Sequence, residues 1–192
     1  MGLPITNPKI ARNLYPWEIT QARFVFRDTL CYEKVLIHEY AKWPDTIDNL
    51  GRKLKKDVPR KPDEHNAITI GYGCYFPVGL PLNQPGIHDP DFYKICWLIH
   101  ELTHCWQYQR FGMKYIFWAL QAQFKLGSEA YRIGDAHELV EKRLQGFKFF
   151  DFNLEQQGRL NEKFFVALNN LPEQQDMYDA CRPYITDEMG LA

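Results

Sequence analysis

What the chain has little of narrows the field first. It has no surplus of either charge: 23 Lys and Arg stand against 24 Asp and Glu, a formal net charge of -1. A balance so near zero supplies no global pull toward nucleic acid or an anionic membrane, so neither is an expected partner. The five cysteines, Cys31, Cys74, Cys96, Cys105 and Cys181, are odd in number and include no CxxC pair. This argues against a disulfide framework and a cysteine zinc site, and leaves buried free thiols in a reducing compartment. No long apolar run is free of charges, so no membrane span is expected. The first ten residues carry Pro4 and Pro8 but no apolar h-region, which argues against a Sec signal. The expectation is synthesis in the cytoplasm, with any export by a route that needs no signal peptide. Internal repeats and low-complexity tracts are absent.

What is present fits one globular unit. A chain of 192 residues suits a single domain over 1–192, and 45% hydrophobic with 15% aromatic residues promises a bulky core. Residues 1–14 read as a flexible N-terminal segment and 44–66 as a basic, proline-rich loop. Within that loop Arg52, Lys53, Lys55, Lys56, Arg60 and Lys61 form a basic stretch. Asp57, Pro59 and Pro62 interrupt it and no aromatics interleave, so it reads as a solvated loop rather than a nucleic-acid patch.

Periodicity gives a mainly helical α+β chain. Tyr15 to Leu30 predicts a helix, with Pro16 at its first position and Ile19, Ala22, Phe26 and Leu30 at helical spacing. Cys31 to Tyr40 predicts a short strand around Val35, Leu36 and Ile37. Ala67 to Phe76 predicts a second, with Ile68, Ile70 and Tyr72 on one face. Pro77 to Pro90 is loop by turn chemistry. Asp89 as N-cap and Pro90 at N1 open a helix with Phe92, Ile95, Ile99, Leu102 and Trp106 as its apolar stripe, stopped by Gly112. A buried helix is expected from Lys114 to Leu126. Another runs from Asn153 to Asn169, with Asn153 and Gln156 as a capping box. A last short helix opens at Pro172. Trp17, Trp43, Trp97, Trp106 and Trp118 read as core.

The chemistry concentrates in Trp97-Leu98-Ile99-His100-Glu101-Leu102-Thr103-His104-Cys105-Trp106-Gln107. Histidines four apart project from one helical face, so two imidazoles can converge on one cation at roughly 2.0–2.1 Å. Glu101 follows the first ligand, where it reaches a water on that ion more readily than the ion itself. That is the geometry of a general base. Histidine is an expensive choice on an otherwise apolar, well-capped helix, so a chance HExxH is the weaker reading. The histidine face is expected to look into a cleft. Gln107 and Gln109 continue the helix and are candidates to orient the ligands. A catalytic zinc needs a third protein ligand and an open fourth position. A metzincin would carry histidine six residues after His104, but Arg110 stands there. The open candidates downstream are Glu129, Asp135, His137, Glu138, Glu141 and Glu155. Tyr131 could donate a hydrogen bond to a developing oxyanion, or simply be an interface tyrosine. His38, His65, His88 and His137 read as surface or loop residues.

His-Glu-Leu-Thr-His-Cys-Trp-Gln-Tyr-Gln over 100–109 is one of several stretches that carry a resemblance. With it go Glu129-Ala130-Tyr131-Arg132-Ile133 and Phe152-Asn153-Leu154-Glu155-Gln156-Gln157. Together they resemble the Vgr-related zincin-like metallopeptidases found in bacteria near type VI secretion and Rhs elements. Thr69-Ile70-Gly71-Tyr72-Gly73-Cys74-Tyr75-Phe76-Pro77 is similar to that family's substrate-edge strand. Glu18-Ile19 through Val35-Leu36-Ile37-His38 is similar to its N-terminal region. The resemblance covers roughly Tyr15 to Phe165, and departs at the basic loop 52–62 and at Arg132-Ile133, where a second tyrosine is expected. It implies a zincin-like fold with a small sheet packed on the active helix. It also implies a Glu-zincin site with one Zn2+ per chain, and Glu155 as third ligand with Glu129 as competitor.

Two functional classes remain in view. In the first the chain is a zinc metallopeptidase, with Glu101 as base and a peptide aligned along 68–76 by strand addition. Its substrate is a protein, a peptide or a peptidoglycan crosslink. Its partners are a secretion apparatus or an immunity protein, as expected of a type VI secretion-associated effector. In the second it is a non-catalytic zinc-binding accessory module of a secretion system. The retained Glu101 favours the first, because a purely structural ion has no use for a base.

Overall fold

The computed structural model describes residues 11–46, 49, 61, 65–114 and 130–188. The chain is mainly helical with one small sheet, an α+β fold. Helix α1 spans Pro16–Phe26. Strands β1 (Leu36–His38), β2 (Ile68–Ile70) and β3 (Gly73–Tyr75) form a sheet of order β1-β3-β2. Among the described residues the longer helices that follow are α2 (Phe92–Phe111), α3 (Ala136–Leu144), α4 (Leu154–Asn169) and α5 (Gln175–Glu188). Among the described residues no helix is long and apolar enough to cross a membrane.

The expected strand at 67–76 folds back on itself. Ile70 pairs with Gly73 across a turn at Gly71-Tyr72, giving an antiparallel β2–β3 hairpin. Gly71 has φ of 65°, a conformation that only glycine adopts without cost. The face expected to be apolar is the outer one. Ile70 is 44% exposed, while Thr69 and Cys74 turn inward. β1 joins β3 in parallel, Ile37 opposite Cys74. Only part of 31–40 is strand, since Tyr32–Lys34 forms a 3-10 turn first.

Residues 11–14 are built in rather than loose. Arg12 bridges to Ile37, and its guanidinium grips both oxygens of Glu18 at 2.8 and 2.9 Å and Glu39 at 3.1 Å. Glu18 also accepts from Tyr15 N at 2.7 Å, so one buried carboxylate caps α1 and anchors the incoming chain. Helix α1 stops at Phe26, short of Leu30, where Arg27 takes φ of 46°. Further along, 43–46 is helical, so the loop expected from 44 opens on helix. All but the first residue of the expected helix 114–126, the bulk of the basic loop and Glu129 lie outside the described residues.

Helix α2 starts two residues later than expected. Asp91 takes the N-cap position, and Asp89 instead accepts from Asp91 N at 2.8 Å in the preceding turn. It stops at Gly112 as expected. Helix α3 was not anticipated, although Asp135 and Glu138 make a full capping box at its start. Helix α5 runs fourteen residues from Gln175, longer and later than the short helix expected at Pro172. Tyr184 hydroxyl fastens it to α3 by donating to Leu139 O at 2.7 Å. The core joins Phe26, Ile37, Phe76, Leu102, Trp106, Phe149, Phe165 and Tyr184, all fully buried. Side chains of that size contribute about 1.5–3 kcal/mol each on burial. Trp106 lies at its centre, while Trp17 and Trp97 pack at its edge and Trp118 lies outside the described residues. Helix α2 is enclosed between the sheet on one side and α4 on the other, and that sandwich positions the site.

Candidate metal centre

From Ile95 to Gln107 every α2 residue but Trp97 is buried, so the histidines do not look into an open cleft as expected. His100 and His104 are 8% and 7% exposed and face α4. The reason lies in what α4 offers. Its capping box, Asn153 with Gln156, fixes the first turn with bonds of 2.9 and 3.1 Å. That presents Glu155 inward, where its Oε2 lies 3.3 Å from His100 Nε2 and 3.5 Å from His104 Nε2. One turn on, Gly158 has no side chain to keep the His100 ring away.

His100, His104 and Glu155 thus form a cluster that could hold a metal ion, their ligand atoms all within 4.8 Å of one another. Of the other third-ligand candidates, Asp135 and Glu138 are used in the α3 cap. His137 is 80% exposed and faces Glu141 on the surface at 3.8 Å. The donor set of two imidazoles and one carboxylate suits a divalent transition-metal ion, and three protein ligands leave a fourth position open.

The far sides of both imidazoles are held. Gln107 Nε2 donates to Leu154 O at 3.0 Å and to Gln157 Oε1 at 2.9 Å. This turns Gln107 Oε1 toward His104 Nδ1 at 2.8 Å, so Nδ1–H donates there and Nε2 is the nitrogen turned to Glu155. His100 Nδ1 faces Glu162 Oε2 at 3.6 Å. Gln109 plays no such part; it ties α2 to the chain after α1 through Cys31 N and Thr29 O.

Electrostatics couples the cluster. Burial disfavours charge on His100, but hydrogen bonds to Glu155 and Glu162 outweigh it and raise its pKa to about 10. His104 moves up too, against burial, through Glu155. Burial would raise Glu155, yet the charges and hydrogen bonds of His104 and His100 hold it well below the usual carboxylate range. A divalent cation seated there would take over the role of those shared protons.

Glu101 is buried beside the cluster but contributes no oxygen to it. Thr69 Oγ1, reaching from β2, donates to Glu101 Oε2 at 2.7 Å. Tyr131 is half-buried, its ring centroid 6.2 Å from that of His100, and Gln156 holds the adjoining Arg132 carbonyl at 2.7 Å. Among the other histidines, His38 stacks on Tyr75, His65 pairs with Asp45 and His88 is exposed.

Sequence reasoning missed Thr69, Gln157, Gly158 and Glu162. A signal for two of them existed: Gly158 and Glu162 follow Glu155 at three and seven residues, on the same face of one amphipathic helix. Thr69 had none, because its partner is 32 residues away. Comparison of the chain with models of known protein families, with curated proteins and with solved structures found no match in any of the three. Fold and site together define a mainly helical α+β chain that carries a buried His-His-Glu cluster able to hold a metal ion.

Proposed function

We propose that the chain is a zinc metallopeptidase of the Glu-zincin type, with a zincin-like fold in which the small sheet packs on α2. One observation carries the reading. A single oxygen of Glu155 meets both histidine Nε2 atoms at 3.3 and 3.5 Å, while the Glu101 carboxylate stands beside the cluster, oriented by Thr69. An oriented carboxylate outside the ligand set has a use in hydrolysis and none in a purely structural site. This weighs against the alternative of a non-catalytic accessory module.

Bound zinc would supply Lewis-acid activation of a scissile carbonyl and of a water. Glu101 accepts the proton of the attacking water and later passes it to the leaving amine. Thr69 keeps the Glu101 carboxylate turned for that transfer. His100 and His104 keep Nε2 directed inward because their Nδ1 atoms are engaged by Glu162 and Gln107. Tyr131 donates its phenolic hydrogen to the oxyanion. The peptide aligns along β2, one of the two outer strands of the sheet and the one whose Thr69 reaches Glu101. The resemblance to the Vgr-related family supports a type VI secretion-associated effector. A protein, a peptide or a peptidoglycan crosslink would be its substrate, and a secretion apparatus or immunity protein its partner. The test is zinc content by elemental analysis together with mass-spectrometric cleavage mapping on a peptide library and on purified peptidoglycan. Wild type should hold one zinc and cleave, and Glu101→Gln should hold zinc and not cleave. Cleavage that persists in Glu101→Gln overturns the mechanism, and a zinc-free wild type overturns the class.

A further inference from the structure

Behind the His-His-Glu cluster, where the hairpin meets α2, two buried thiols are in contact. Cys74 Sγ on β3 and Cys105 Sγ on α2 stand 3.4 Å apart, both fully buried. Their surroundings tie them to the site. Cys105 directly follows His104 and lies one helical turn after Glu101. Cys74 is the register partner of Thr69, the residue that holds Glu101. The hairpin therefore meets the helix through two adjacent links, Thr69 to Glu101 and Cys74 to Cys105. Among the described residues no other two cysteines are in sulfur contact; Cys181 Sγ instead meets the thioether of Met177 at 3.6 Å.

We propose that Cys74 and Cys105 are a modification site, a dithiol that a disulfide-class oxidant converts into a buried crosslink fastening the β2–β3 hairpin to α2. One cysteine attacks the oxidant's disulfide and releases one thiol. The second cysteine displaces the other half, and a new S–S bond forms between Cys74 and Cys105. Two electrons and two hydrogens pass to the oxidant, which leaves as two thiols. The sulfurs must close by roughly 1.4 Å to reach the bond length of about 2.05 Å. Both are shielded in the closed fold, so exchange takes place as the chain folds or as the hairpin lifts. The chain between them closes a loop of about thirty residues, long enough for the crosslink to restrain the unfolded state strongly. The geometry stands without any hydrolytic activity. It rests on the metallopeptidase reading only for its consequence: in an oxidising compartment the brace holds Thr69 on Glu101 and keeps β2 in place beside the ligands.

The experiment refolds the full chain with zinc in a buffer of oxidised and reduced glutathione, alkylates free thiols, and digests without reduction. The expected result is a Cys74–Cys105 peptide two hydrogens lighter than its reduced form, with Cys31, Cys96 and Cys181 alkylated. The unfolding midpoint should stand roughly 5–10 °C above that of the dithiothreitol-treated protein, and Cys74→Ala should lose the difference. Alkylation of all five cysteines after oxidative refolding overturns the proposal, as does a crosslink between any other pair. These readouts use wild type, so they hold even where Cys74→Ala does not fold. Zinc content of the same samples separates the two readings. A crosslinked protein without zinc retains the brace and sinks the metal centre, whereas a zinc-loaded protein without crosslink does the reverse.

Discussion

Gly158 lies flat against the imidazole of His100. A Cβ at that position would stand 2.8 Å from the ring's Cε1 and 2.9 Å from its Nε2. Glycine inside a helix ordinarily costs about 0.5–1 kcal/mol relative to alanine, so its presence in the middle of α4 needs a reason, and the ring supplies one. Gly158→Ala should push the imidazole off its line to Glu155. Zinc affinity should fall at least ~10-fold, while the chelator-treated protein loses little stability because the better helix former offsets the local clash. Competition with a chromogenic chelator measures the first, and thermal unfolding the second. Unchanged affinity would mean that the ring needs no such close seat.

The coupled charges of the site fix a direction with pH. His100 rises from 6.5 to about 10, against burial, through Glu155 and Glu162. A raised histidine contributes stability that is fully present below 6.5 and lost as pH rises through 10. Glu155 is held low by His104 and His100, so its contribution is present above 4.5 and lost as pH falls. The chelator-treated protein should therefore be most stable between about 4.5 and 6.5, and its urea midpoint should decline from pH 6.5 to 10. Zinc affinity should climb over that same interval, because the ion displaces protons. Glu155→Gln should flatten both trends. A midpoint that rises with pH in the chelator-treated protein would contradict the coupling.

Thr69 offers a different measurement, since it touches the proposed base rather than the ligands. Thr69→Val removes the hydroxyl that donates to Glu101 Oε2 at 2.7 Å and keeps the shape of the side chain. On any peptide that the wild type cleaves, kcat should fall about 10-fold with KM little changed and zinc content undiminished. Thr69→Ser should restore most of the rate. Glu101→Gln should cost more, about 10²–10⁴-fold, because it removes the base itself. A Thr69→Val enzyme with wild-type kcat would leave the hydroxyl as packing only.

How much of this was legible in the sequence follows the distance over which each signal acts. The α2 motif, the Gly112 stop and the Asn153–Gln156 box are local, and the structure has them where the residues put them. The α3 capping box was just as local, and Asp135 with Glu138 could have revealed it. The hairpin was misread because Ile68, Ile70 and Tyr72 alternate as a single strand would, whereas Gly71 at φ of 65° breaks it. The inward choice of Thr69 over Ile70 has no local signal at all. It follows from a carboxylate on another element that needs a donor. The histidine face was expected to be open for the same reason. Nothing near residue 100 announces that a glycine and two glutamates of α4 will cover it.

Glu162 is the sharpest test of that cover. Its Oε2 faces His100 Nδ1 at 3.6 Å, and its other oxygen is gripped by Arg159. Burial would raise its pKa, but the His100 bond and the Arg159 charge hold it below the ordinary value, so it remains a carboxylate. An ionised acceptor behind a histidine fixes which nitrogen carries hydrogen and makes the opposite nitrogen a better ligand. Loss of such a partner typically costs 10–100-fold in metal affinity. Glu162→Ala should therefore weaken zinc by about that factor, and Glu162→Gln, which keeps an acceptor but not the charge, by less. Arg159→Ala serves as the comparison, because it removes Glu162's tether without touching His100, and should cost less than Glu162→Ala. If instead both substitutions lower the thermal midpoint equally and leave zinc affinity alone, Glu162 is half of a helix-surface ion pair and His100 is oriented by Gly158 and Glu155 without it. Zinc titrations of the three variants against a common chelator distinguish these outcomes.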